Sequence, residues 1–201
     1  MKFKLIFVFL AFFCFEKANA QGLDLRILES INGPKSGADS KWIFLTNHAN
    51  YIDASVPVSM VIVGFASHDD ALKTKAYETA ISMAITTGLT FGVKDIVRRR
   101  RPYVSYPDDI VLKVGSVHGA DYSFPSGHTS LAFATATSLS LSFPKWYVIA
   151  PSFLYAGAVG YSRMYVGVHY PSDVLGGAIL GAGTSYLTFK VQKWMNKKRH
   201  Q

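Results

Sequence analysis

The amino-acid sequence predicts an all-α fold, a bundle of helices that crosses a membrane several times. Five apolar stretches carry this prediction, and each is long enough for a helix of about 25 Å at a rise of 1.5 Å per residue. They cover approximately residues 51–67, 76–93, 128–143, 146–162 and 173–189. The chain has 201 residues, of which 49% are hydrophobic, so it can form one domain with a single sizeable core.

The first twenty residues have the layout of a secretory signal peptide. Two lysines precede an apolar run over residues 5–15, and Ala18-Asn19-Ala20 places small residues just before Gln21. An uncleaved membrane anchor is the alternative, because the run is rich in phenylalanine although short for a span. We therefore predict five transmembrane helices if residues 1–20 are removed and six if they are retained.

The rest of the chain divides into three parts. Residues 21–50 are a polar, partly amphipathic lead-in that is broken at Asn32-Gly33-Pro34, residues 51–190 form the helical domain, and residues 191–201 are a basic tail. Serine and threonine recur in 128–143, so that helix should bury one face in protein rather than in lipid. Small residues should let the last helix pack closely against its neighbours: Gly176, Gly177, Gly181 and Gly183.

The distribution of basic residues predicts an orientation in the membrane. If Gln21 lies outside, then Lys73, Lys75, Lys145 and the basic tail lie inside, in agreement with the positive-inside rule. The basic residues that fall outside instead are Lys94, Arg98 to Arg101, Lys113 and Arg163. Three of these seven exceptions, Lys94, Arg101 and Arg163, belong to the clusters described below, so a function can explain them. The three clusters are therefore predicted to lie together on the outer side of the membrane.

The overall charge and the absence of a metal-binding motif limit the kinds of ligand and partner that the sequence predicts. A formal net charge of +8 favours an anionic partner, such as a phosphorylated lipid or an acidic membrane surface. No cluster of His, Cys, Asp or Glu in the sequence has metal-ligand spacing. Cys14 lies in the signal segment, so no disulfide is expected. We predict no metal, no cofactor, no nucleic-acid partner and no obligate protein partner.

The first cluster consists of Lys94 and Arg101-Pro102. Lys94 and Arg101 are seven residues apart, or two helical turns, so both point the same way if the helix continues to Arg101. Pro102 favours a helix end at that point. Two cations aimed at one spot can neutralise a phosphate and the charge that develops in its transition state. A basic anchor next to the membrane is the alternative, and it is the preferred interpretation for Arg98 to Arg100.

The second cluster is Pro125-Ser126-Gly127-His128, where a polar loop meets an apolar helix. Ser126 is a good N-cap, and the free amides of a helix start bind anions. Gly127 lets the backbone approach a phosphate without a Cβ in the way. His128 lies at the rim, where it could give a proton to a leaving oxygen. A capped helix with a surface histidine is the alternative.

The third cluster joins Ser162-Arg163 to His169 and Asp173. Arg163 can hold phosphate oxygens in a bidentate fork. His169 and Asp173 are four residues apart, so Asp173 could accept the ring N–H of His169 and leave its other nitrogen free to attack phosphorus. Alternatively, Asp173 caps the last helix while His169 packs on Tyr170.

Taken together, the three clusters resemble the signature of the type 2 phosphatidic acid phosphatase superfamily, Lys-x6-Arg-Pro, Pro-Ser-Gly-His and Ser-Arg-x5-His-x3-Asp. The resemblance extends over approximately residues 50–190, without a substitution in the signature. It implies an all-helical bundle and dephosphorylation without a metal, through a phosphohistidine. His169 would be the nucleophile, His128 the general acid and Asp173 the partner of His169. The residues implied to bind the phosphoryl group are Lys94, Arg101, Ser126, Gly127 and Arg163.

Alternatives to a membrane lipid phosphatase stay open at this point. They are a soluble periplasmic acid phosphatase, a vanadium-dependent haloperoxidase and a phospholipid-binding protein without activity. Phosphatidic acid, phosphatidylglycerophosphate, undecaprenyl diphosphate and lipid A all present the phosphate group that the clusters would recognise. We expect the polar loop 103–124, with Asp121 and Tyr122, to influence the choice among them.

Overall fold

The computed structural model describes residues 17–115 and 122–199. These residues form seven helices: α1 (Lys17–Asn32), α2 (Asp39–Ala66), α3 (Asp70–Val97), α4 (Pro102–Ser105), α5 (Gly127–Ser142), α6 (Trp146–Tyr165) and α7 (Pro171–Arg199). The described part contains no strand and a single isolated bridge, so the all-α prediction is confirmed. Residues 1–16 of the predicted signal segment, and Asp121 of the predicted substrate loop, lie outside the described residues.

Helix α5 lies at the centre of the bundle, and α2, α3, α6 and α7 pack around it. Its buried side chains are all small, which lets four neighbouring helices approach: Thr129, Ser130, Ala132, Ala134, Thr135, Ala136 and Ser138. Their hydroxyls find partners inside the protein, as when Ser130 donates to the carbonyl of Ser126 at 2.9 Å. The predicted protein-facing surface of this helix is confirmed.

Glycines set the distance between α7 and α5. A Cβ at Gly181 would lie 2.0 Å from the carbonyl oxygen of Ser130, and a Cβ at Gly177 would lie 2.7 Å from that of Ser126. Both contacts are too short for any side chain, and Gly176 similarly leaves room for a phenylalanine ring. The predicted close packing is confirmed at these three positions. It is wrong for Gly183, which has no such neighbour within 4 Å.

The first long helix begins earlier than the apolar pattern indicates. Helix α2 starts at Asp39 rather than near residue 51, because residues before the apolar stretch already pack on α6 and are buried there, as Thr46 and Ala49 show. The break predicted after Asn32 is confirmed by the end of α1.

Three helical segments in the described ranges are long and apolar enough to cross a membrane: Asp39–Ala66, Asp70–Val97 and Pro171–Met195. Large apolar side chains cover their outer surfaces, as at Ile62 and Ile179, whereas threonine, serine and charged side chains are buried inside. A surface this apolar is suited to contact with lipid.

Two of the five predicted spans correspond to α5 and α6. Neither of these helices is among the segments that are long and apolar enough to cross a membrane. With 16 residues, α5 is about 24 Å long, whereas the hydrocarbon core of a bilayer is about 30 Å thick. The other helices surround it, so its length and polarity are set by the protein interior rather than by lipid.

Candidate active site

The three sequence clusters meet at one end of the bundle. The backbone N–H of Ser126 donates to the carbonyl of Asp173 at 3.0 Å, which joins the second cluster to the third. In the last turn of α3, Lys94 donates from Nζ to the carbonyl of Tyr122 at 2.6 Å, just ahead of the second cluster. Nη1 of Arg101 lies 3.4 Å from Nε2 of His169. Residues from four separate helix ends therefore form one polar site.

Lys94 and Arg101 converge by a different route from the one predicted. Helix α3 ends at Val97, and Arg98 turns the chain with a left-handed conformation at φ 51°. Arg101 is extended and caps the start of α4, so the prediction of one continuous helix is wrong. Both cations are nevertheless only 5% exposed, and both act on the same histidine, His169.

A tight turn at Gly167 positions His169. Gly167 has φ +82°, and a Cβ there would lie 2.6 Å from the carbonyl of Val111, so only glycine fits this turn. The ring of His169 is 2% exposed. Its Nδ1 lies 3.5 Å from Oδ2 of Asp173, too long for a hydrogen bond, and makes no hydrogen bond within the described ranges.

Two neighbours bear on the tautomer of His169. Arg101 can only donate, which favours a lone pair on the Nε2 atom beside it. Nδ1 faces the carboxylate of Asp173, which favours a proton on that nitrogen. Contacts of this kind often shorten when a substrate binds. The two groups therefore face each other, but the hydrogen bond predicted from the sequence is not formed at this distance.

Burial is the first cause that holds the pKa of His169 well below its ordinary value, and the positive charges of Arg163, Arg101 and Lys94 act in the same direction. Both effects disfavour the imidazolium form. The ring therefore stays neutral well below neutral pH, in the form in which a nitrogen can attack phosphorus.

Arg163 lies in the last turn of α6 and is 6% exposed. It donates from Nη1 to the hydroxyl of Thr46 on α2, while its Nε is buried without a hydrogen-bond partner in the described part of the chain. An unpartnered buried donor is costly, so a bound anion would satisfy it. This observation fits the predicted phosphate-binding role.

The second cluster lies at the start of α5. Ser126 occupies the N-cap position, as predicted, but its hydroxyl contacts the Thr129 hydroxyl at 2.8 Å rather than a backbone amide. A Cβ at Gly127 would meet a protein neighbour only at an ordinary 3.6 Å, so the surrounding protein does not itself require glycine there. His128 is half-buried and lies in the electrostatic field of His169 and the three cations of the site.

Arg99 is a component of the site that the sequence interpretation missed. The predicted basic anchor at Arg98 to Arg100 is wrong for this residue, because its guanidinium binds two acids inside the protein. Nη1 donates to Oδ1 of Asp173 at 2.8 Å, and Nη2 donates to Oδ2 of Asp24 at 2.7 Å. The order of residues along the chain gives no sign of either pairing.

The side chains of the site suit phosphate transfer. Among the described residues, no three His, Cys, Asp or Glu side chains come close enough to hold an ion. Side-chain cations can stabilise the negative charge of a phosphoryl group in place of a metal. Two histidines near this cationic pocket can act as nucleophile and proton donor.

Comparison with known proteins agrees with the geometry. A family model described as the PAP2 superfamily matches residues 76–197, so the chain belongs to this superfamily. A structure described as the first transmembrane PAP2 type phosphatidylglycerolphosphate phosphatase, from Bacillus subtilis, superimposes with a TM-score of 0.70. That structure is 25% identical in sequence, and the match covers 94% of each chain.

Two relatives are more similar in sequence over shorter segments. An undecaprenyl-diphosphatase of Sulfolobus acidocaldarius is 44% identical over 72 residues, which is 36% of this chain and 34% of the relative. A lipid A 4'-phosphatase of Bacteroides thetaiotaomicron is 32% identical over 120 residues, 56% of this chain and 52% of the relative. The chain thus matches about a third and about half of the length of these two relatives.

Proposed function

We propose that this chain removes phosphate from membrane lipids, whether monoesters or diphosphates, through a phosphohistidine at His169 and without a metal. The observation that carries the proposal is the orientation of His169. Its Nε2 lies beside the cationic pocket at Arg101, and its Nδ1 faces the buried carboxylate of Asp173. The relatives named above, which are phosphatases of lipid-linked phosphates, support the same reaction class.

The first chemical step transfers phosphate to the enzyme. Nε2 of His169 attacks phosphorus, the bond from phosphorus to the leaving oxygen breaks, and His128 gives that oxygen a proton. Asp173 stabilises the positive charge that develops on the His169 ring. The start of α5, at Ser126 and Gly127, binds the phosphoryl oxygens together with three side-chain cations. These cations are Lys94, Arg101 and Arg163.

The second step releases inorganic phosphate. Water attacks phosphorus and breaks its bond to Nε2 of His169, while His128 accepts a proton from the water and so returns to its starting state. Both steps are displacements at one phosphorus atom, so the same cations serve each of them.

We place the protein in a bacterial inner membrane with the site facing the periplasm, after a signal segment at residues 1–20. The apolar outer surfaces of α2, α3 and α7 support membrane insertion, and the distribution of lysine over the loops supports the orientation. The phosphate site lies at one end of the bundle, where a lipid phosphate would reach it from the membrane surface.

The proposal is tested by measuring phosphate release by the purified chain from phosphatidic acid, undecaprenyl diphosphate and lipid A. Release from at least one of them, by protein that stays in the membrane pellet after a carbonate wash, is the expected result. Activity in the wash would instead indicate a soluble acid phosphatase. Halide oxidation dependent on peroxide and vanadate, without phosphate release, would indicate a haloperoxidase.

We expect turnover to survive EDTA and to be blocked by vanadate. Side-chain cations do the work of a metal in this mechanism, and vanadate adopts the five-coordinate shape of the transition state. Initial rates with and without each reagent check this prediction. If EDTA abolished turnover and magnesium restored it, the metal-free mechanism would be wrong.

We expect Arg163→Lys to weaken vanadate inhibition and to lower kcat by about 10- to 100-fold, the effect of losing a charged hydrogen bond. Lysine keeps the positive charge but cannot supply both the contact to Thr46 and the unpartnered Nε donor. The inhibition constant for vanadate is the measurement, and Arg98→Lys is the matched control, since Arg98 is exposed. Equal inhibition of the two variants would show that Arg163 does not bind the phosphoryl group.

A further inference from the structure

We propose that Asp24 and Arg99 are positioning residues for the catalytic pair, so that helix α1 completes the active site. The contacts run from Asp24 to Arg99, then to Asp173, and from there to His169. This inference deepens the proposed function and rests on it. It also gives a role to helix α1, which precedes α2 in the chain.

Arg99 holds the segment that directly follows His169. Its Nη1 donates to Oδ1 of Asp173 at 2.8 Å and to the hydroxyl of Ser172 at 2.6 Å. The guanidinium also stacks on Tyr170, 3.9 Å from the ring centroid. A guanidinium presents its donors in a rigid plane, so the three contacts together hold the Arg99 side chain in one orientation. A lysine could not reproduce this geometry.

Asp24 fixes Arg99 from the opposite side. Its Oδ2 accepts from Nη2 of Arg99 at 2.7 Å and from the hydroxyl of Ser172, and its Oδ1 accepts from the backbone N–H of Ser172 at 2.9 Å. The carboxylate is only 8% exposed. Asp24 therefore both holds Arg99 and satisfies a free amide in the first turn of α7, the helix that carries Asp173.

These contacts hold the carboxylate of Asp173 in one orientation. Oδ1 of Asp173 is bound by Arg99, and Oδ2 accepts from the backbone N–H of Tyr170 at 2.8 Å while it faces Nδ1 of His169. Without Arg99, one oxygen would be released and a buried charge would lose its counterion. His169 would then lose the fixed carboxylate that its Nδ1 faces.

Helix α1 is docked firmly enough to serve this purpose. Asp24, Leu28 and Asn32 are spaced four residues apart, share one helix face and are all buried. The side chain of Asn32 donates to the carbonyls of Val111 and Tyr165, at 2.9 and 2.8 Å, and accepts from the N–H of Val111 at 2.7 Å. The helix is therefore attached at both ends of this face, beside the segments that carry the third cluster.

The proposal is tested with Arg99→Lys and Asp24→Asn in the full-length chain. We expect kcat to fall by about 10- to 100-fold for Arg99→Lys and by about tenfold for Asp24→Asn, the cost of a misplaced catalytic group, with KM within about twofold of the parent. The double variant should lose no more than Arg99→Lys alone, because both residues act through one network. The matched controls are Arg98→Lys and Glu29→Gln, since Arg98 is the exposed neighbour of Arg99 and Glu29 is an exposed acid on the same helix as Asp24.

Chemical rescue separates positioning from a merely structural role. Arg99 borders a cavity of about 270 Å³, together with Arg100, Ser105, Tyr106 and Tyr170, through which a small cation could enter. Free guanidinium at millimolar concentration should raise the activity of Arg99→Ala at least about tenfold, because it can replace the charged group that the substitution removes. The same addition should leave His169→Ala inactive and Arg98→Ala unchanged.

The parent chain is measured first in the same assay, so failure of the proposed function is seen separately as a parent without phosphatase activity. Equal kcat values for Arg99→Lys and Arg98→Lys, in an active background, would overturn the positioning role. A change confined to KM, or no response of Arg99→Ala to guanidinium, would also overturn it. If the alanine variant does not fold in a thermal melt, the kcat values of Arg99→Lys and Asp24→Asn decide the question.

Discussion

Replacing His169 by alanine should lower turnover by about four orders of magnitude or more on every substrate. The substitution removes the atom that accepts the phosphoryl group, and what remains is only the binding and electrostatic contribution of the surrounding cations. The measurement is kcat on a lipid phosphate and on nitrophenyl phosphate. Both should fall to background, because the nucleophile is needed whatever the leaving group.

The matched control is His48→Ala. His48 is an exposed histidine on α2, where it hydrogen-bonds within its own helix and stacks on Phe44, so its loss should leave kcat unchanged. Substantial turnover by a folded His169→Ala protein on either substrate would show that another group attacks phosphorus.

Replacing His128 by alanine should affect substrates unequally. A lipid alkoxide needs a proton as it leaves, and loss of a general acid costs about 10²- to 10⁴-fold for such a group. Nitrophenolate is a much weaker base and needs little protonation, so its release should be partly spared, within about tenfold of the parent. The ratio of nitrophenyl to lipid activity is the measurement, and it should rise in His128→Ala.

The prediction for His128→Ala rests on the position and the surroundings of the His128 ring. Its half-buried ring lies at the start of α5, beside the cationic pocket. Burial, followed by the charges of the neighbouring cations, lowers the pKa of His128 to about 2, so a bound phosphate that offsets these charges is needed before the ring can carry the proton it gives to the leaving group. The same ratio measured in His48→Ala should equal that of the parent. An equal loss on both substrates in His128→Ala would remove the general-acid assignment.

Local sequence patterns predicted the candidate site well where neighbouring residues carry the information. The spacing of His169 and Asp173 predicted that they would lie together, and they do, although their separation of 3.5 Å is too long for the predicted hydrogen bond. Arg99 was misjudged because its two acidic partners lie 75 and 74 residues away along the chain. A run of four arginines shows the same composition whether its members face lipid head groups or a buried carboxylate.

The limits of the fold prediction have a similar cause. The helix centres followed from apolar stretches, but the true start of α2 depends on packing of residues 39–50 against α6, which the apolar pattern does not contain. Helix α5 was predicted as a span because it is apolar enough in composition. Its small, hydroxyl-rich buried face, which the sequence did indicate, fits a helix surrounded by other helices.

The central claim, that phosphate passes through His169, is tested most directly by trapping the enzyme during turnover. The parent chain is mixed with a lipid phosphate, quenched within milliseconds into alkaline denaturant, in which phosphohistidine is stable, and mapped by mass spectrometry of its peptides. The account predicts one phosphate on His169, present in the parent and in His128→Ala and absent in His169→Ala. Phosphate trapped on another residue, or still trapped in His169→Ala, would contradict it.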